Sequence, residues 1–378
     1  MADASLSKAP SAAQLLNDGK LIVVKIGSSL LVEADGRLRK AWMRTLVSRL
    51  EGLTGQILVV SSGAIAVGRG ALGLSERPRT LAEAQAAAAV GQISLAGAWS
   101  EVWTDQGRSA AQVLLTLGDL EQRRRYLNAR ATLETLLDHR VVPVVNENDT
   151  VATEEIRFGD NDRLAARVAQ LMGAGTLVLL SDVDGLYTAD PACRPDARRI
   201  DEVRELTSDI EALAGQAVTS GVGTGGMKSK LAAARIATHA GVSVVLASGL
   251  TADPIGSLIA GGPATVFRPG SKPLVARKRW LRGLQNPLGR LTLDAGALNA
   301  LRQGASLLAV GVRAASGEFQ RGDLVSLVGP DGLCGQGLCA YDIDEAARIA
   351  GLSSERVAEL LGSTGRGPMV HRDDLVLF

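Results

Sequence analysis

Leu21-Ile-Val-Val-Lys25-Ile26, running into Gly27-Ser-Ser29, carries the strongest strand signal near the start of the chain. Apart from one lysine it is apolar on successive residues, with no in/out alternation. Such a run predicts a strand covered on both faces, as in parallel sheets layered between helices. Outward from it, residues 56–61, 109–115, 141–146, 176–181 and 242–247 have the same character. Helical periods fill the gaps at 40–53, 81–105, 123–139, 162–172 and 228–240. This alternation predicts an α/β fold with a mostly parallel sheet sandwiched by helices. Ligands in such folds gather at the carboxyl ends of the strands.

The whole chain, 378 residues with 46% apolar and 43 glycines, is long enough for two domains with a sizeable core. Its 41 basic and 40 acidic residues nearly cancel, which argues against a dominant polyanion-binding surface. Aromatics at 3% argue against a base-stacking platform for single-stranded nucleic acid. Cys193, Cys334 and Cys339 cannot all pair, so reduced thiols in a cytoplasmic protein are expected. The most apolar stretch, 82–99, is broken by Glu83, Gln85, Gln92 and Ser94; it reads as an amphipathic helix rather than a membrane span. Residues 1–19 read as a disordered leader, 20–268 as the α/β domain and 269–288, rich in Pro, Gly and basic residues, as a linker. Beyond it, strand-like pieces at 289–293, 307–312, 324–328, 334–341 and 375–378, with a helix over 343–350, predict a small β-rich, barrel-like domain for 289–378.

Lys25 leaves a buried strand as a compact point charge suited to phosphate oxygens, although a lysine snorkelling at a strand end looks the same. Ser61-Ser62-Gly63 runs from strand into helix, where backbone N–H groups bind anions and Ser62 adds a hydroxyl; an ordinary serine cap is the competing reading. Asn146-Glu-Asn-Asp149 crowds four polar side chains at another strand end, and Gly159-Asp-Asn161-Asp162 follows within a loop's reach. Capping explains one such cluster more easily than two. Asn146, Asp149 and Asn161 suit a zwitterion, with the acidic residue on the amine, while Asp162 suits the orienting of phosphate-binding lysines.

Gly221-Val-Gly-Thr-Gly-Gly226 satisfies G-x-G-x-x-G, and so does Gly68-Arg-Gly-Ala-Leu-Gly73. Neither follows the first strand as a dinucleotide fingerprint would, and Met227 stands where a P-loop has its lysine. What remains is a backbone-rich loop opening a helix, followed by Lys228 and Lys230, which favours a nucleotide's phosphates over a mere glycine hinge. Ser181 and Asp182 end a further strand and suit a ribose or base contact. The Asp182/Asp184 spacing mimics a calcium loop, but no glutamate closes it. His139, His239 and His371 are scattered and build no catalytic triad. That absence fits phosphoryl transfer to an acceptor already anionic at neutral pH, driven by positioning and charge neutralisation.

At these motifs the chain resembles the amino-acid kinase family. The carriers are Val23-Val-Lys25-Ile-Gly27-Ser, Ser61-Ser-Gly-Ala-Ile-Ala66, Pro143-Val-Val-Asn-Glu-Asn-Asp149, Gly159-Asp-Asn-Asp162, Gly185-Leu-Tyr-Thr-Ala-Asp-Pro191 and Gly223-Thr-Gly-Gly-Met227. The tail, with Arg348-Ile-Ala-Gly351 and His371-Arg-Asp-Asp374, resembles a PUA domain. The resemblance implies ATP-dependent phosphorylation of the side-chain carboxylate of L-glutamate to glutamyl 5-phosphate, the first step of proline biosynthesis. It implies Lys25 and Lys230 on the transferring phosphoryl group with Asp162 orienting them, and Ser62, Gly63, Asp149 and Asn161, with Asn146 nearby, on glutamate. Lys25, Ser181, Asp182, Gly223, Thr224, Gly225, Gly226, Met227, Lys228, Ser229 and Lys230 would line the nucleotide site.

It also implies Mg2+ with the ATP, feedback inhibition by proline, a homo-oligomer (dimer or tetramer), and a glutamyl phosphate reductase that takes the labile product. No residue is assigned as a metal ligand; whether Asp160 or Asp162 touches magnesium directly or through water stays open. The tail is expected to be regulatory or structural, so that a chain ending near Arg268 keeps catalysis. Two features depart from the pattern: Lys228 stands where a small polar residue is frequent, and the leader is longer than the core requires. The alternatives are another acceptor within the family (acetylglutamate, aspartate, carbamate or uridylate), or an RNA-binding PUA protein. Asp149 discriminates among acceptors, because a free amino group calls for a carboxylate and an acetylated one does not.

Overall fold

The structure, a computed structural model, describes residues 10–74, 78, 80–151, 161–216, 226–270, 273–362 and 367–378. They cluster into two units. The first is built from the chain up to Leu120 and from Thr132 to Pro273; the second from Glu121–Ala131 and Leu274–Phe378.

In the first unit the chain runs α1 (Ala12–Asn17), β1 (Leu21–Ile26), α2 (Ser28–Leu31), α3 (Lys40–Glu51), β2 (Gln56–Val60), α4 (Ala64–Ala71), α5 (Leu81–Thr104) and β3 (Ala110–Leu115). After α6 (Leu117–Glu121) and α7 (Arg123–Asp138) come β4 (Val142–Glu147), α8 (Asn161–Met172) and β5 (Thr176–Ser181). The short strands β6 (Leu186–Tyr187), β7 (Arg199–Ile200) and β8 (Glu202–Val203) precede α9 (Ser208–Gln216), α10 (Met227–His239), β9 (Ser243–Ser248), α11 (Pro254–Ile259) and β10 (Ala264–Phe267). The main sheet has the order β3-β4-β2-β1-β5-β9-β10-β8 and is parallel except where β10 meets β9. β1 lies centrally, with Lys25 in register between Val60 of β2 and Leu179 of β5.

Every residue of β1, β4 and β5 is buried, as continuous apolar runs require. β3 differs from expectation: it is the sheet edge, its burial is uneven, and Leu114 is 36% exposed. An edge strand has a neighbour on one side only, which the apolar run 109–115 does not reveal.

Two further expectations change. The described part of the leader is not disordered, since α1 starts in a reciprocal capping box between Ser11 and Gln14 and buries Leu16 completely. The presumed linker contains a helix, α12 (Pro273–Gly283), with Leu281 fully buried. Its proline stands at the first helical position, where proline starts a helix rather than breaking one.

The second unit holds β11 (Gly289–Leu293), α13 (Ala295–Arg302), β12 (Val312–Gly317), β13 (Leu324–Gly329), β14 (Gly332–Leu338), α14 (Ile343–Ile349), α15 (Ser354–Leu361) and β15 (Leu375–Leu377). The five strands form one sheet in the order β12-β11-β13-β14-β15, the β-rich C-terminal element expected. The segment read as a strand at 307–312 is instead a 3-10 turn, Ala309–Gly311, with β12 starting at Val312. Leu291, Phe319, Val325, Leu327 and Tyr341 make up the centre of its core.

Candidate active site

The parallel order places the carboxyl ends of β4, β2, β1 and β5 side by side, and polar residues leave each of them. Lys25 is the penultimate residue of β1 and only 5% exposed. Its Nζ lies 2.6 Å from Asp162 Oδ1. Lys230, one turn into α10, brings its Nζ to 3.2 Å from Asp162 Oδ2. One buried carboxylate at the start of α8 thus faces two ammonium groups from elements far apart in sequence. Burial would push the Asp162 carboxyl up; the charges of both lysines outweigh it and hold it below the usual carboxylate range. The trio carries a net positive charge, as a site for an anion requires.

Beside it lies a buried amide cluster. Asn161 Nδ2 donates to the Ser61 carbonyl at 2.7 Å, to Ser62 Oγ at 2.9 Å and to Asn146 Oδ1 at 2.9 Å. Asn161 Oδ1, also buried, has no donor among the described residues. Trp99 of α5 donates to Ser61 Oγ at 2.9 Å, and Asn146 Nδ2 donates to Gln92 Oε1 at 2.6 Å. Gly63 follows with φ +105°, a left-handed conformation that glycine adopts without strain. It caps α4, whose first N–H groups receive no side-chain cap. Asp149, just beyond β4, is half-buried, and no described residue pairs with it. Desolvation pushes its carboxyl up to about 6.

Of the expected nucleotide residues, Ser181 ends β5 buried, its Oγ accepting from the Val183 amide at 3.2 Å, while Asp182 is exposed. Gly226 caps α10, Met227 and Ser229 are half-buried, and Lys228 is exposed. Gly223, Thr224, Gly225 and Asp160 lie outside the described residues. The second G-x-G-x-x-G match has a different cause. A Cβ on Gly68 would fall 1.8 Å from the Ala87 carbonyl oxygen, and one on Gly91 1.9 Å from that of Ala64. Gly68 is there because α4 and α5 touch backbone to backbone.

Among the described residues no three His, Cys, Asp or Glu side chains group as metal ligands. Asp162 already has an ammonium against each oxygen, so the described residues do not fit a protein-held magnesium. Gln92, Trp99 and Ser61 were absent from the expected site. The one signal for Gln92 was an amide in an alanine-rich helix, which periodicity counts only as an interruption.

Residues 20–248 match the amino acid kinase family, and residues 289–361 match the PUA domain. The glutamate 5-kinase of Bradyrhizobium sp. strain BTAi1 is 54% identical over 367 residues, covering 96% of this chain and 97% of that protein. Glutamate 5-kinase 1 of Mesorhizobium japonicum is 53% identical over 96% of this chain and 97% of its own length. The glutamate 5-kinase of Nitrobacter winogradskyi is 54% identical over 94% and 95%.

Proposed function

The chain belongs to the amino acid kinase family, among the glutamate 5-kinases, and from that premise we infer how its own residues carry the reaction. It transfers the terminal phosphoryl group of ATP to the side-chain carboxylate of L-glutamate, giving ADP and glutamyl 5-phosphate, the first step of proline biosynthesis. The observation that carries the assignment of roles is the pair of lysines held on one buried aspartate, next to a buried amide cluster.

Lys25 and Lys230 bind the transferring phosphoryl group and neutralise charge on its oxygens, in a site dry enough for that charge to count. Asp162 keeps the two ammonium groups from repelling each other apart. The acceptor carboxylate is ionised at neutral pH, so the attack needs no general base. Asp149 takes the glutamate ammonium, with Asn161 Oδ1 accepting one of its N–H groups. Ser62, Gly63 and the uncapped amides of α4 receive the α-carboxylate, and Asn146 holds Asn161 in place. Ser181, Asp182 and the segment Gly226 to Lys230 line the nucleotide site, joined by Gly223, Thr224 and Gly225. Magnesium, carried by the nucleotide, would be held by phosphate oxygens and water rather than by the described residues, and would supply further neutralisation of phosphate charge.

Proline carries an α-carboxylate and a secondary α-ammonium, still with two N–H groups, and lacks the reacting carboxylate, so it competes for the Asp149–Asn161 pocket. Val90 and Ile93, three residues apart on α5, are apolar and 39% and 77% exposed, and Leu114 on the edge strand β3 is 36% exposed; these support a homo-oligomer, a dimer or tetramer. The acyl phosphate is labile and calls for a glutamyl phosphate reductase to consume it. Among the described residues no helix is long and apolar enough to cross a membrane, and a cytoplasmic enzyme is proposed.

The test is ADP release with magnesium-ATP and L-glutamate, trapping acyl phosphate with hydroxylamine, beside acetylglutamate, aspartate and carbamate. Hydroxamate from glutamate alone, suppressed by proline, is the expected result. Turnover with a different acceptor and none with glutamate would sink the role given to Asp149.

A further inference from the structure

A groove of about 470 Å³ opens in the second unit, along β15 at the edge of its sheet. Val275 of α12, Leu301 of α13 and Leu377 of β15 give it aliphatic walls. Lys278 and Arg282 of α12 and Arg302 at the end of α13 bring three cations to the same groove, all of them exposed. Among the described residues that line it there is no Asp, Glu or aromatic ring. Volume and aliphatic walls are those of a small-molecule site, where a few polar groups fix the ligand's orientation.

The three charges are unbalanced where they stand. Lys278 and Arg282 are four residues apart on one helix, where like charges repel. Neither Lys278 nor Arg302 pairs with a carboxylate among the described residues. Arg282 donates to the Leu377 carbonyl at 2.8 Å, which leaves most of its five N–H donors for a ligand. Nucleic acid fits poorly, because no ring is present for a base to stack on. A peptide added as a further strand fits poorly too: β15 has three residues, Leu375 and Val376 are 4% and 5% exposed, and the Leu377 carbonyl is taken. We propose that the groove binds a small amphiphilic anion, a carboxylate or phosphate head on an aliphatic chain, free in solution. The head meets Lys278, Arg282 and Arg302, and the chain lies against Val275, Leu301 and Leu377.

Calorimetric titration of the full chain with hexanoate, octanoate, decanoate and octyl phosphate tests this, with octanol and octylammonium as the neutral and cationic probes. Affinity should rise about fourfold per methylene along the carboxylates. Octylammonium should not bind. Lys278→Gln, Arg282→Gln and Arg302→Gln should each weaken octanoate about threefold, the scale of one exposed ion pair, and leave octanol unchanged. Val275 is the third residue of α12, where an acidic side chain suits the helix dipole, so Val275→Asp keeps the helix while setting a carboxylate in the aliphatic wall. It should weaken octanoate about tenfold or more. Melting temperature and hydroxamate formation should stay as in the unaltered enzyme for all four variants, since the replaced side chains are exposed and lie apart from the phosphoryl-transfer residues.

Octanoate ahead of octyl phosphate, or the reverse, supports the site and tells which head group it takes. No binding of either at millimolar concentration, octylammonium as tight as octanoate, affinity independent of chain length, or affinity untouched by Val275→Asp would each overturn the proposal. So would displacement by single-stranded RNA together with no effect of chain length, which would make the groove a polyanion surface.

Discussion

Asp162 answers to two cations at once, and that makes the lysines separable from the acceptor pocket by mutation. Lys230→Ala removes one charge from the transferring group while Asn146, Asn161 and Asp149 keep their places. Turnover should fall on the order of 10²–10³, the cost of losing one preorganised charge partner in a dry site. Glutamate binding, followed by calorimetry, should survive. Equal loss of both would mean that Lys230 also shapes the acceptor pocket. Asp149 predicts a pH dependence of its own. Its carboxyl titrates at about 6 in the unliganded protein and must be ionised to hold an ammonium. The kcat/KM for glutamate should therefore drop about tenfold per pH unit below about 6, while Asp149→Asn flattens that limb and raises KM. The stability effect has the opposite sign. Folding favours the protonated form here, so ionising Asp149 weakens the fold as pH rises from about 4 to about 6.

Between elements, the crossing of α4 and α5 matters most for the site. Gly68 and Gly91 allow a backbone approach that no side chain would permit. Alanine in mid-helix gains up to about 1 kcal/mol in propensity over glycine. Gly91→Ala nevertheless drives a Cβ into the Ala64 carbonyl, and overpacking of this kind costs about 1–3 kcal/mol. The clash should win, because the obstacle is main chain and cannot swing aside. Gln92 is the next residue and Gly63 caps α4, so separation of the helices should raise KM for glutamate along with lowering the melting temperature. A lower melting temperature with unchanged KM would detach the crossing from the pocket. The Gly68 pattern also shows how a motif misleads: the same letters serve a phosphate loop or a helix contact, and only the neighbour across the gap distinguishes them.

For the molecule as a whole, the C-terminal unit is fastened by a buried charge cluster that includes a segment from mid-chain. Asp374, 5% exposed, accepts both oxygens' bonds from Arg130 at 2.9 and 3.1 Å and pairs with Arg277 as well. Arg130 lies in Glu121–Ala131, the part of the sequence that clusters with the tail. Asp374→Ala leaves two guanidinium groups without this carboxylate and should destabilise that unit by about 3–5 kcal/mol in urea unfolding, with KM for glutamate unchanged. A loss under about 1 kcal/mol would show that water or other partners compensate. The same cluster revises the expectation for a chain ending near Arg268. Such a chain strands Glu121–Ala131 without its partners, so reduced stability is expected even where the lysine–aspartate trio is complete.

Local signals were enough for the α/β class with a β-rich tail and for most strands of the parallel sheet, because continuous apolar runs and 3.6-residue periods report burial. The sequence also supplied most candidate site residues, since polar clusters at the ends of buried strands are conspicuous where they stand. The strand read at 307–312 is a 3-10 turn, and over Ala12–Asn17 and Pro273–Gly283 a capping box and a proline at a helix start outweighed composition. Which residues meet is settled by the packing of distant elements, not by any local pattern. Residues 25, 162 and 230 become one charge cluster through a sheet order that no local pattern specifies. Gln92 joins Asn146 across 54 positions of sequence, and Arg130 joins Asp374 across 244. Periodicity reports which face a residue turns inward, while the partner it finds there depends on the packing of the whole chain.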